Sequence, residues 1–516
     1  VNRSIIIGSR GSQLALWQAN KVKDKLEQLG LKIQIKIIKT QGDQVQHLGF
    51  DKLEGKGFFT KEIETSLLNN SIDIAVHSYK DLPTENTPGL IISANSTRAN
   101  PFDWIAINPN RRKPAALFEL PLGATIGTSS PRRAQQLGTW RPDLKIVPIR
   151  GNVPTRLAKA NSEVDAVVLA AAGLERLQLD LSNHAIFKCM PWHMVPAAAQ
   201  GVLAYQCRAD DAQIQSILAK IHDANAATSI GIERTILNKL EGGCQQPIGV
   251  FANYKDKKFN LWCCARNSAN KFKRIYRNGS NPKDLVQDML QAIENPTAKR
   301  IFISRDKADA KHFIGAAREA GHQVVATSLI EFHPIDFQVD LDHIDWLFFS
   351  SPRAAQFFFD KYNANDIAHL KIAAIGPGTE SALLKLGVEA EFCGEKNNTE
   401  KVAHDFLKVS EGMQVLFPQA KNSLQSIQKA IGDKIKATSI SIYQNEPKKI
   451  VVPNDFDCYA CTSPLNAKVV LENESKENKR WIAIGSQTAA TIQELSPEKV
   501  HIAMRPNELA MLFLVD

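Results

Sequence analysis

The sequence predicts an α/β protein of several domains, and three observations support this prediction. From residue 5 onward, short apolar segments typical of buried strands alternate with stretches of helical periodicity, as in proteins built on parallel sheets. Near Phe251 the pattern changes to that of antiparallel strands, and near Arg300 a second alternating pattern begins. The 516 residues suffice for three or four domains of about 150 residues each.

Composition excludes several classes of protein. Hydrophobic residues make up 44% and charged residues 23%, which rules out a mostly disordered chain. The net charge of +9 favours an anionic partner. Eight cysteines are too few for a disulfide scaffold and indicate reduced thiols. No apolar run reaches the roughly 18 residues of a membrane span, and the first residues lack a signal-peptide core, so we expect a cytoplasmic protein.

The individual elements follow from local patterns. A helix is predicted to open after Gly11 and Ser12, with apolar positions at Ala15, Ala19, Val22, Leu26 and Leu29. Apolar segments predict strands at 5–7, 33–38, 72–76, 125–127, 146–149 and 166–169. Antiparallel strands are predicted at 251–266 and 271–277, followed by a helix at 281–294 and a linker at 295–297.

The second half contains an internal repeat. Residues 347–352 (LFFSSP) are echoed by 459–464 (YACTSP), and 375–379 (IGPGT) by 484–488 (IGSQT). Two strand–turn–helix units at nearly one offset predict two similar α/β lobes, whereas a solenoid or propeller would need more copies at a shorter period.

Arginines follow the predicted strand ends, where a doubly wound sheet binds ligands. Arginine pairs with carboxylates through two charge-assisted hydrogen bonds, and hydroxyl residues at helix starts lie beside free N–H groups that also favour anions. The arginines are Arg10, Arg132, Arg133, Arg150, Arg156 and Arg176, and the hydroxyl residues are Ser12, Thr128, Ser129 and Ser130, the last as the cap before Pro131. Together they predict a deep site for a ligand with several carboxylates or phosphates, although each residue alone also fits a solvated surface or a helix cap.

Three further features have chemical potential. Asp81, beside Lys80 at a strand end, is expected to stay ionised and to stabilise a cation or relay a proton, unless it is only a turn residue. Cys244 lies in a loop between two glycines and a proline, where an electrophile could reach the thiol, or it is incidental. Residues 41–61 lack P-loop spacing and predict a polar loop able to act as a lid.

The pair Cys458 and Cys461 lies within a strand pattern. Because zinc would need a second ligand pair, core packing is the better interpretation, and we expect no metal site. The basic residues lack interleaved aromatics, which argues against a nucleic-acid partner.

These stretches together resemble porphobilinogen deaminase (hydroxymethylbilane synthase) over residues 3 to about 295. The shared motifs are GSRGSQLALWQA (8–19), GKGFFTKEIE (55–64), DIAVHSYKDLP (73–83), GTSSPRRAQ (127–135), RGNVPTRL (150–157), AAAGLERL (170–177), PAAAQG (196–201) and LEGGCQQPIG (240–249). The resemblance implies two doubly wound domains like periplasmic binding proteins, at 1–95 (completed by about 193–212) and 96–192, and a small α+β domain at 213–295 carrying the cysteine loop.

The same resemblance implies the chemistry. Cys244 would hold a dipyrromethane cofactor through a thioether, with Lys80, Asp81, Ser129, Arg132, Arg133 and Arg150 as further cofactor contacts. Asp81 would be the catalytic aspartate. Arg10, Ser12, Phe59, Thr128, Arg156 and Arg176 would bind substrate, with Phe59 stacking on a ring. The sequence departs from the family pattern at Pro131, where leucine is common, and at Ala199, where glycine is usual; neither removes a charge.

Residues about 298–516 resemble uroporphyrinogen-III synthase. The stretches are FFSSPRAAQFF (348–358), AAIGPGTESALLKLG (373–387), VLFPQAKNS (415–423), SISIYQNEP (439–447), CTSPLNA (461–467) and IAIGSQTAATIQEL (482–495). The resemblance implies one lobe of 298–333 with 446–516 and another of 334–445, with the cleft between them. Tyr443 would assist loss of a hydroxyl, and Ser351, Thr379, Ser463 and Thr488 would lie at helix starts facing the cleft. For Ser351 and Thr379, helix capping remains at least an equal alternative. GSQT stands at 485–488, where the family more often has GPTT.

The resulting hypothesis is a bifunctional enzyme that converts four porphobilinogen molecules through hydroxymethylbilane into uroporphyrinogen III. Its expected partners are these small molecules, not nucleic acid or a membrane, and it is expected to be a monomer. Two alternatives remain: a deaminase with an inactive or structural second half, and a polyanion-binding protein without catalysis.

Overall fold

The fold is described from a computed structural model, which covers residues 3–40, 60–114, 116–240, 246–394, 399–453, 455–472 and 477–516. Within these residues the structure alternates strands and helices as the predicted α/β class requires, which confirms the fold class. No helix in these ranges has both the length and the apolar character to cross a bilayer.

The first part of the chain forms two α/β domains. Its strands are β1 (Ile5–Ser9), β2 (Ile33–Ile37), β3 (Ile74–Ser78), β4 (Leu90–Asn95), β5 (Asp103–Ile107), β6 (Thr125–Gly127), β7 (Lys145–Val147), β8 (Ala166–Ala170), β9 (Ala185–Lys188) and β10 (Leu203–Arg208). Its helices are α1 (Gln13–Glu27), α2 (Lys61–Leu68), α3 (Pro131–Trp140), α4 (Val153–Ala158), α5 (Ala171–Arg176) and α6 (Ala212–Ala219).

The two domains have sheets of matching size joined by two crossings of the chain. Strand order is β2-β1-β3-β10-β4 in domain 1 and β7-β6-β8-β5-β9 in domain 2. The chain passes from β4 to β5 and returns from β9 to β10. In domain 1 the strand β1 runs parallel to β2 and β3, and in domain 2 β6 runs parallel to β7 and β8. The carboxyl ends of these strands therefore gather at one edge of each sheet.

Several element boundaries differ from the sequence prediction by a few residues, and two of these differences have a structural reason. Helix α1 is capped by Ser12, whose Oγ accepts from the N–H of Ala15 at 3.3 Å, and it buries Ala19. The helix ends at Glu27, so the expected contact of Leu29 is wrong and this side chain is 44% exposed. Strand β3 begins two residues late and includes His77, because the buried imidazole pairs with a neighbour on β10.

Domain 3 packs two helices on an antiparallel sheet. Its elements are α7 (Ala224–Lys239), β11 (Gly249–Lys255), β12 (Lys258–Arg266), β13 (Phe272–Gly279) and α8 (Pro282–Glu294). The predicted stretch 251–266 is a hairpin, because Asp256 and Lys257 adopt positive φ and turn the chain between β11 and β12. Glu233 of α7 pairs with Arg98 at 2.7 Å and accepts from the N–H of Ala199 at 2.6 Å, so domain 3 contacts both crossings.

The second half consists of two further α/β lobes. Its strands are β14 (Arg300–Ile303), β15 (Gln323–Ala326), β16 (Ile330–Pro334), β17 (Trp346–Phe349), β18 (Lys371–Ala374), β19 (Phe392–Cys393), β20 (Gln414–Ala420), β21 (Lys436–Pro447), β22 (Cys458–Cys461), β23 (Arg480–Ala483) and β24 (Val500–Ile502). Its helices are α9 (Lys311–Glu319), α10 (Pro352–Phe359), α11 (Pro377–Lys385), α12 (Thr399–Ser410), α13 (Ser426–Ile431), α14 (Pro464–Glu472), α15 (Ser486–Leu495) and α16 (Glu508–Leu512).

Each lobe has its own parallel-rich sheet. Strand order is β15-β14-β22-β23-β24 in lobe 1 and β16-β21-β20-β17-β18-β19 in lobe 2. Antiparallel β16 and β21 carry the chain from one lobe to the other and back. The sequence repeat corresponds to β17–α10 with β18–α11 in lobe 2 and to β22–α14 with β23–α15 in lobe 1.

The two halves share an apolar core. One cluster of buried side chains includes Trp140 of domain 2 and Trp262 of domain 3 together with Phe313, Met511 and Phe513 of lobe 1. The N–H of β13 residue Tyr276 also donates to the carbonyl of Phe513 at 2.9 Å. The second half therefore packs directly on domains 2 and 3.

Candidate active site

A buried carboxylate organises cations at the boundary between domains 1 and 2. Asp103, the first residue of β5, is 0% exposed. Its oxygens lie 2.8 Å from Nη2 of Arg132 and 2.7 Å from Nη2 of Arg133. Gln200 donates to the same carboxylate at 3.1 Å and accepts from Nζ of Lys80 at 3.3 Å. The first turn of α3 and the turn after β3 are thus joined through one acid.

The ionisation of Asp103 follows from its neighbours. Burial alone raises the pKa of this carboxyl, but the charges of Arg132, Arg133 and Lys80 outweigh burial and hold the pKa well below its usual range. Neither Asp103 nor Gln200 was predicted from the sequence to belong to the site. The available signal was an acidic residue heading an otherwise apolar strand, DWIAI, where an ionised side chain must find a buried partner.

The cations themselves are short of compensating charge. Burial lowers the pKa of Lys80, Arg132, Arg156 and Arg176, each despite at least one raising contact. Lowered values mean that the charged forms are desolvated, so an anionic ligand that enters the site would replace the lost hydration. A molecule with several carboxylates fits this donor set.

The remaining predicted arginines follow strand ends of both domains. Arg156 on α4 donates from Nε to the carbonyl of Gly151 at 2.7 Å. Arg176 at the end of α5 donates to the carbonyl of Gly201 at 2.8 Å, and its guanidinium lies 5.6 Å from the ring centroid of Trp17 on α1. Arg176 therefore connects domain 2 with domain 1.

Two more predicted arginines, Arg10 and Arg150, are half-buried just after β1 and β7. Ser12, two residues beyond Arg10, caps α1 through its side-chain hydroxyl. The structure thus places these side chains at the sheet edges where the sequence predicted a ligand.

The hydroxyl residues before α3 shape its entry loop. Ser129 donates from Oγ to the carbonyl of Ile149 at 2.6 Å and accepts from the N–H of the same residue at 3.0 Å, so it fixes the loop that leads to Arg150. Thr128 is buried and accepts from the N–H of Ser130 at 3.2 Å. Ser130 occupies the cap position before Pro131, as predicted, although its side chain makes no capping hydrogen bond.

Asp81 is positioned differently from Asp103. It ends a single 3-10 turn, Tyr79–Asp81, that follows β3, and its side chain is exposed. Its charge raises the pKa of Lys80 and of Arg156, although burial lowers both more strongly. An exposed carboxylate close to cations of both domains is accessible to a bound substrate.

Two predicted contacts, Cys244 and Phe59, lie outside the described residues, as do most of the predicted lid residues 41–61. Near the first of them, α7 ends at Lys239. A cavity of about 400 Å³ lies beside α7, lined by Tyr79, Arg234 and Asn238 among others, and no residue of the predicted site lines it.

The second half contains a smaller candidate site at Tyr443. The hydroxyl of Tyr443 lies 3.2 Å from Oγ of Ser351, and its ring stacks on Phe357 with centroids 5.1 Å apart. Ser351 also caps α10 by accepting from the N–H of Ala354 at 3.1 Å. Burial raises the pKa of Tyr443, which keeps its phenol protonated as a hydrogen-bond donor near neutral pH.

The other hydroxyl residues of the second half have structural surroundings. Ser463 accepts from the N–H of Asn466 at 3.1 Å at the start of α14. Thr379 and Thr488 lie in the first turns of α11 and α15 and are each 2% exposed. The expectation that these two threonines face an open cleft is therefore wrong, because their hydroxyls are enclosed by protein.

The cysteine pair of β22 behaves as core. Cys458 and Cys461 are buried, and burial raises the pKa of both thiols. Within the described ranges no three His, Cys, Asp or Glu side chains come close enough to hold a metal ion.

Comparison with protein families assigns matches to both halves. The model for the porphobilinogen deaminase dipyromethane cofactor binding domain matches residues 5–216, and the model for the porphobilinogen deaminase C-terminal domain matches residues 227–295. The model for uroporphyrinogen-III synthase HemD matches residues 311–512.

Individual relatives agree for the first half. A porphobilinogen deaminase of Halalkalibacterium halodurans is 42% identical over 307 residues, which cover 58% of this chain and 96% of the relative. Another of Desulforudis audaxviator is 44% identical over 265 residues, covering 51% and 84%. A crystal structure of uroporphyrinogen-III synthetase from Helicobacter pylori overlaps 42% of this chain and 97% of its own, with 19% identity and a TM-score of 0.33, too low to carry an argument.

Proposed function

This chain belongs to the porphobilinogen deaminase family, and we propose that it performs two consecutive reactions of tetrapyrrole biosynthesis in one polypeptide. The first half is a hydroxymethylbilane synthase that condenses four porphobilinogen molecules with release of ammonia. The second half is a uroporphyrinogen-III synthase that closes hydroxymethylbilane with inversion of its last ring.

The observation that carries the first activity is the cation cluster around Asp103. Each porphobilinogen ring bears an acetate and a propionate, and guanidinium groups bind such carboxylates in paired hydrogen bonds. Arg132 and Arg133 are preoriented by Asp103, while Arg10, Arg150, Arg156 and Arg176 follow neighbouring strand ends. Because the cluster spans both domains, a chain of acid-bearing rings can be held between them.

The residues present also fit a dipyrromethane cofactor, whose two rings carry the same acids. We propose that Lys80, Asp81, Ser129, Arg132, Arg133 and Arg150 hold it and that Cys244 attaches it. When bound, the cofactor supplies a covalent primer to which substrate rings are added. A thiolate suits this attachment because it is a good nucleophile for an activated methylene carbon.

Asp81 is the proposed catalytic residue of the first reaction. Loss of ammonia leaves positive charge on the substrate ring, and an ionised carboxylate near the pyrrole N–H stabilises that charge as it develops. Asp81 is exposed while Asp103 is enclosed by its cations, so only Asp81 of these two acids is available to substrate. Thr128 and Ser12 support the strand-end loops around it, and Phe59 is proposed to stack on a substrate ring.

Tyr443 is the proposed catalytic residue of the second reaction. Its protonated hydroxyl, held by Ser351 at 3.2 Å, can donate a hydrogen bond to the hydroxyl that hydroxymethylbilane loses on ring closure. Ser463 is proposed to contact substrate from the start of α14, while Thr379 and Thr488, each 2% exposed, would shape the surrounding helix starts. We further propose that the chain works as a cytoplasmic monomer on small-molecule substrates, without nucleic acid or membrane partners.

One experiment separates the candidate functions. The full chain is incubated with porphobilinogen, ammonia is measured, and the cyclised product is resolved into its isomers. Uroporphyrinogen III with ammonia supports both activities, uroporphyrinogen I alone leaves only the deaminase, and binding without ammonia release leaves only a polyanion-binding protein.

Two variants test the assigned residues. Asp81→Asn should abolish ammonia release while the unfolding midpoint stays unchanged, because the side chain is exposed. The intact mass of purified protein should exceed that of the polypeptide by one dipyrromethane, and Cys244→Ser should remove this excess. A bare polypeptide mass in active enzyme would refute the attachment.

A further inference from the structure

The two halves meet at a carboxylate that contacts the arginine helix of the first half. Glu319, at the end of α9 in lobe 1, accepts from Nε2 of Gln135 and from Oγ1 of Thr139, each at 2.6 Å. Gln135 and Thr139 lie on α3, the helix whose first turn contains Arg132 and Arg133. A residue of the second half therefore binds the element that presents the cation cluster.

The same carboxylate joins domain 3 to this contact. Nη1 of Arg274 on β13 lies 3.7 Å from Glu319, and Arg266 on β12 lies 3.8 Å away. Arg266 also donates to Oε1 of Gln135 at 2.6 Å. Arg274 is buried, and its guanidinium lies 4.8 Å from the ring centroid of Trp140. Glu319 is thus the meeting point of domain 2, domain 3 and lobe 1.

Further hydrogen bonds to lobe 1 and to the loop before β10 also fix the position of α3. His312 of α9 donates from Nδ1 to the carbonyl of Trp140 at 2.6 Å, at the end of the helix. On the site side, Arg132 and Gln136 both donate to the carbonyl of Val195, at 2.7 and 3.0 Å. Helix α3 therefore contacts the cation cluster through its first turn and lobe 1 through residues further along the same helix.

The contact of Glu319 with α3 fixes how this helix is rotated about its axis. Arg132, Gln135 and Thr139 are three and seven residues apart and so share one face of α3. Two hydrogen bonds to a single carboxylate, one turn apart, restrict rotation of the helix about its axis. Because the helix has 10 residues, a small rotation would redirect the guanidinium of Arg132 relative to Asp103.

We propose that Glu319 is a positioning residue for the deaminase reaction, through which the synthase half orients the carboxylate-binding arginines of the first half. The inference rests on the proposed function and adds a dependence of the first reaction on the second half of the chain. It requires no contact between Glu319 and substrate, since the effect is transmitted by α3.

The test uses the full chain with Glu319→Gln and, independently, Thr139→Val, which removes one partner without touching the charge. Glu494→Ala, an exposed glutamate on α15 of the same lobe, is the matched control. Substrate carboxylates are bound alike in ground and transition states, so the KM for porphobilinogen should rise on the order of tenfold while kcat changes little. Amide hydrogen exchange should accelerate in residues 131–140 and stay unchanged in residues 13–27.

The outcomes are separable. A raised KM with faster exchange in α3 for both variants, and wild-type behaviour of Glu494→Ala, supports the proposal. Faster exchange with an unchanged KM, or no change in either, overturns it while the deaminase function stands. A parent chain that releases no ammonia would overturn the proposed function itself, and the positioning role with it.

Discussion

Asp103→Asn is the perturbation from which the structure predicts the largest effect on stability. The substitution keeps the shape of the side chain but removes the negative charge that lies 2.8 Å from Arg132 and 2.7 Å from Arg133. Two buried guanidiniums and the nearby Lys80 would then lose the buried carboxylate whose charge they share. Removing one partner of a buried ion pair typically costs about 3–5 kcal/mol, because the remaining charge stays desolvated.

This energy is large enough to measure by thermal unfolding. A loss of 1 kcal/mol lowers the midpoint of a domain of this size by about 2–4 °C, so the transition of the first half should fall by about 10 °C. Trp104 and Trp140 lie in domain 2 and report on it by fluorescence. Glu163→Gln is the control, because the Glu163 side chain is 58% exposed in its pair with Lys159 and surface pairs contribute about 0.5 kcal/mol.

The pH dependence gives the prediction a second readout. Since the folded-state pKa of Asp103 is held below its unfolded value, its stabilisation is complete above the unfolded pKa and is lost as pH falls through the folded value. The difference between parent and Asp103→Asn should therefore stay constant from neutral pH to about pH 5 and shrink only in stronger acid. Added sulfate should recover part of the loss by binding the uncompensated cations.

Two results would contradict the prediction for Asp103→Asn. If the free energy of unfolding of Asp103→Asn is within about 1 kcal/mol of the parent value, Asp103 does not hold the cation cluster together. The same conclusion follows if the unfolding midpoint of Asp103→Asn is no lower than that of Glu163→Gln. If sulfate stabilises parent and variant equally, the arginines are not left uncompensated by the substitution.

Three further predictions concern other parts of the chain. Ala199→Gly should stabilise the protein by up to about 1 kcal/mol in urea unfolding, because Ala199 has a φ of 59°, which favours glycine; a loss of stability would contradict this. Burial lowers the pKa of His77 to about 4, so stability should fall by about 3 kcal/mol between pH 6.5 and 4 as the unfolded chain takes up the proton, and His77→Gln should flatten that slope. Tyr443→Phe keeps the ring stacking but loses the hydroxyl held by Ser351, so the share of uroporphyrinogen I should rise with an unchanged rate of ammonia release; an unchanged isomer ratio would remove Tyr443 from the second reaction.

Local patterns accounted for most elements but not their limits. Helix α1 was predicted from the spacing of its apolar residues. Leu29 was wrongly included, because the apolar spacing continues beyond Glu27, where the helix ends. The turn at Asp256 was also missed, although the charged run 255–258 (KDKK) interrupts the apolar pattern there, where Asp256 and Lys257 adopt positive φ.

The arginine set was predicted, but its partner was not. Strand-end arginines can be recognised in the sequence because each follows its own strand. The parallel arrangement of the strands then brings their ends together. Asp103 and Gln200 belong to the same network but are separated by almost a hundred residues. The apolar strand after Asp103 indicates that this acid needs a buried partner, but it does not indicate which residue that partner is.

The α/β class, the internal repeat and the family motifs follow from the sequence, because each depends on residues close together along the chain. Three features depend on long-range packing: one buried carboxylate joins Lys80, Arg132 and Arg133, Thr379 and Thr488 are enclosed, and Glu319 of the second half binds α3. These features are set by which distant segments pack together, and the free energy of burying and pairing charges depends on that packing and not on position along the chain.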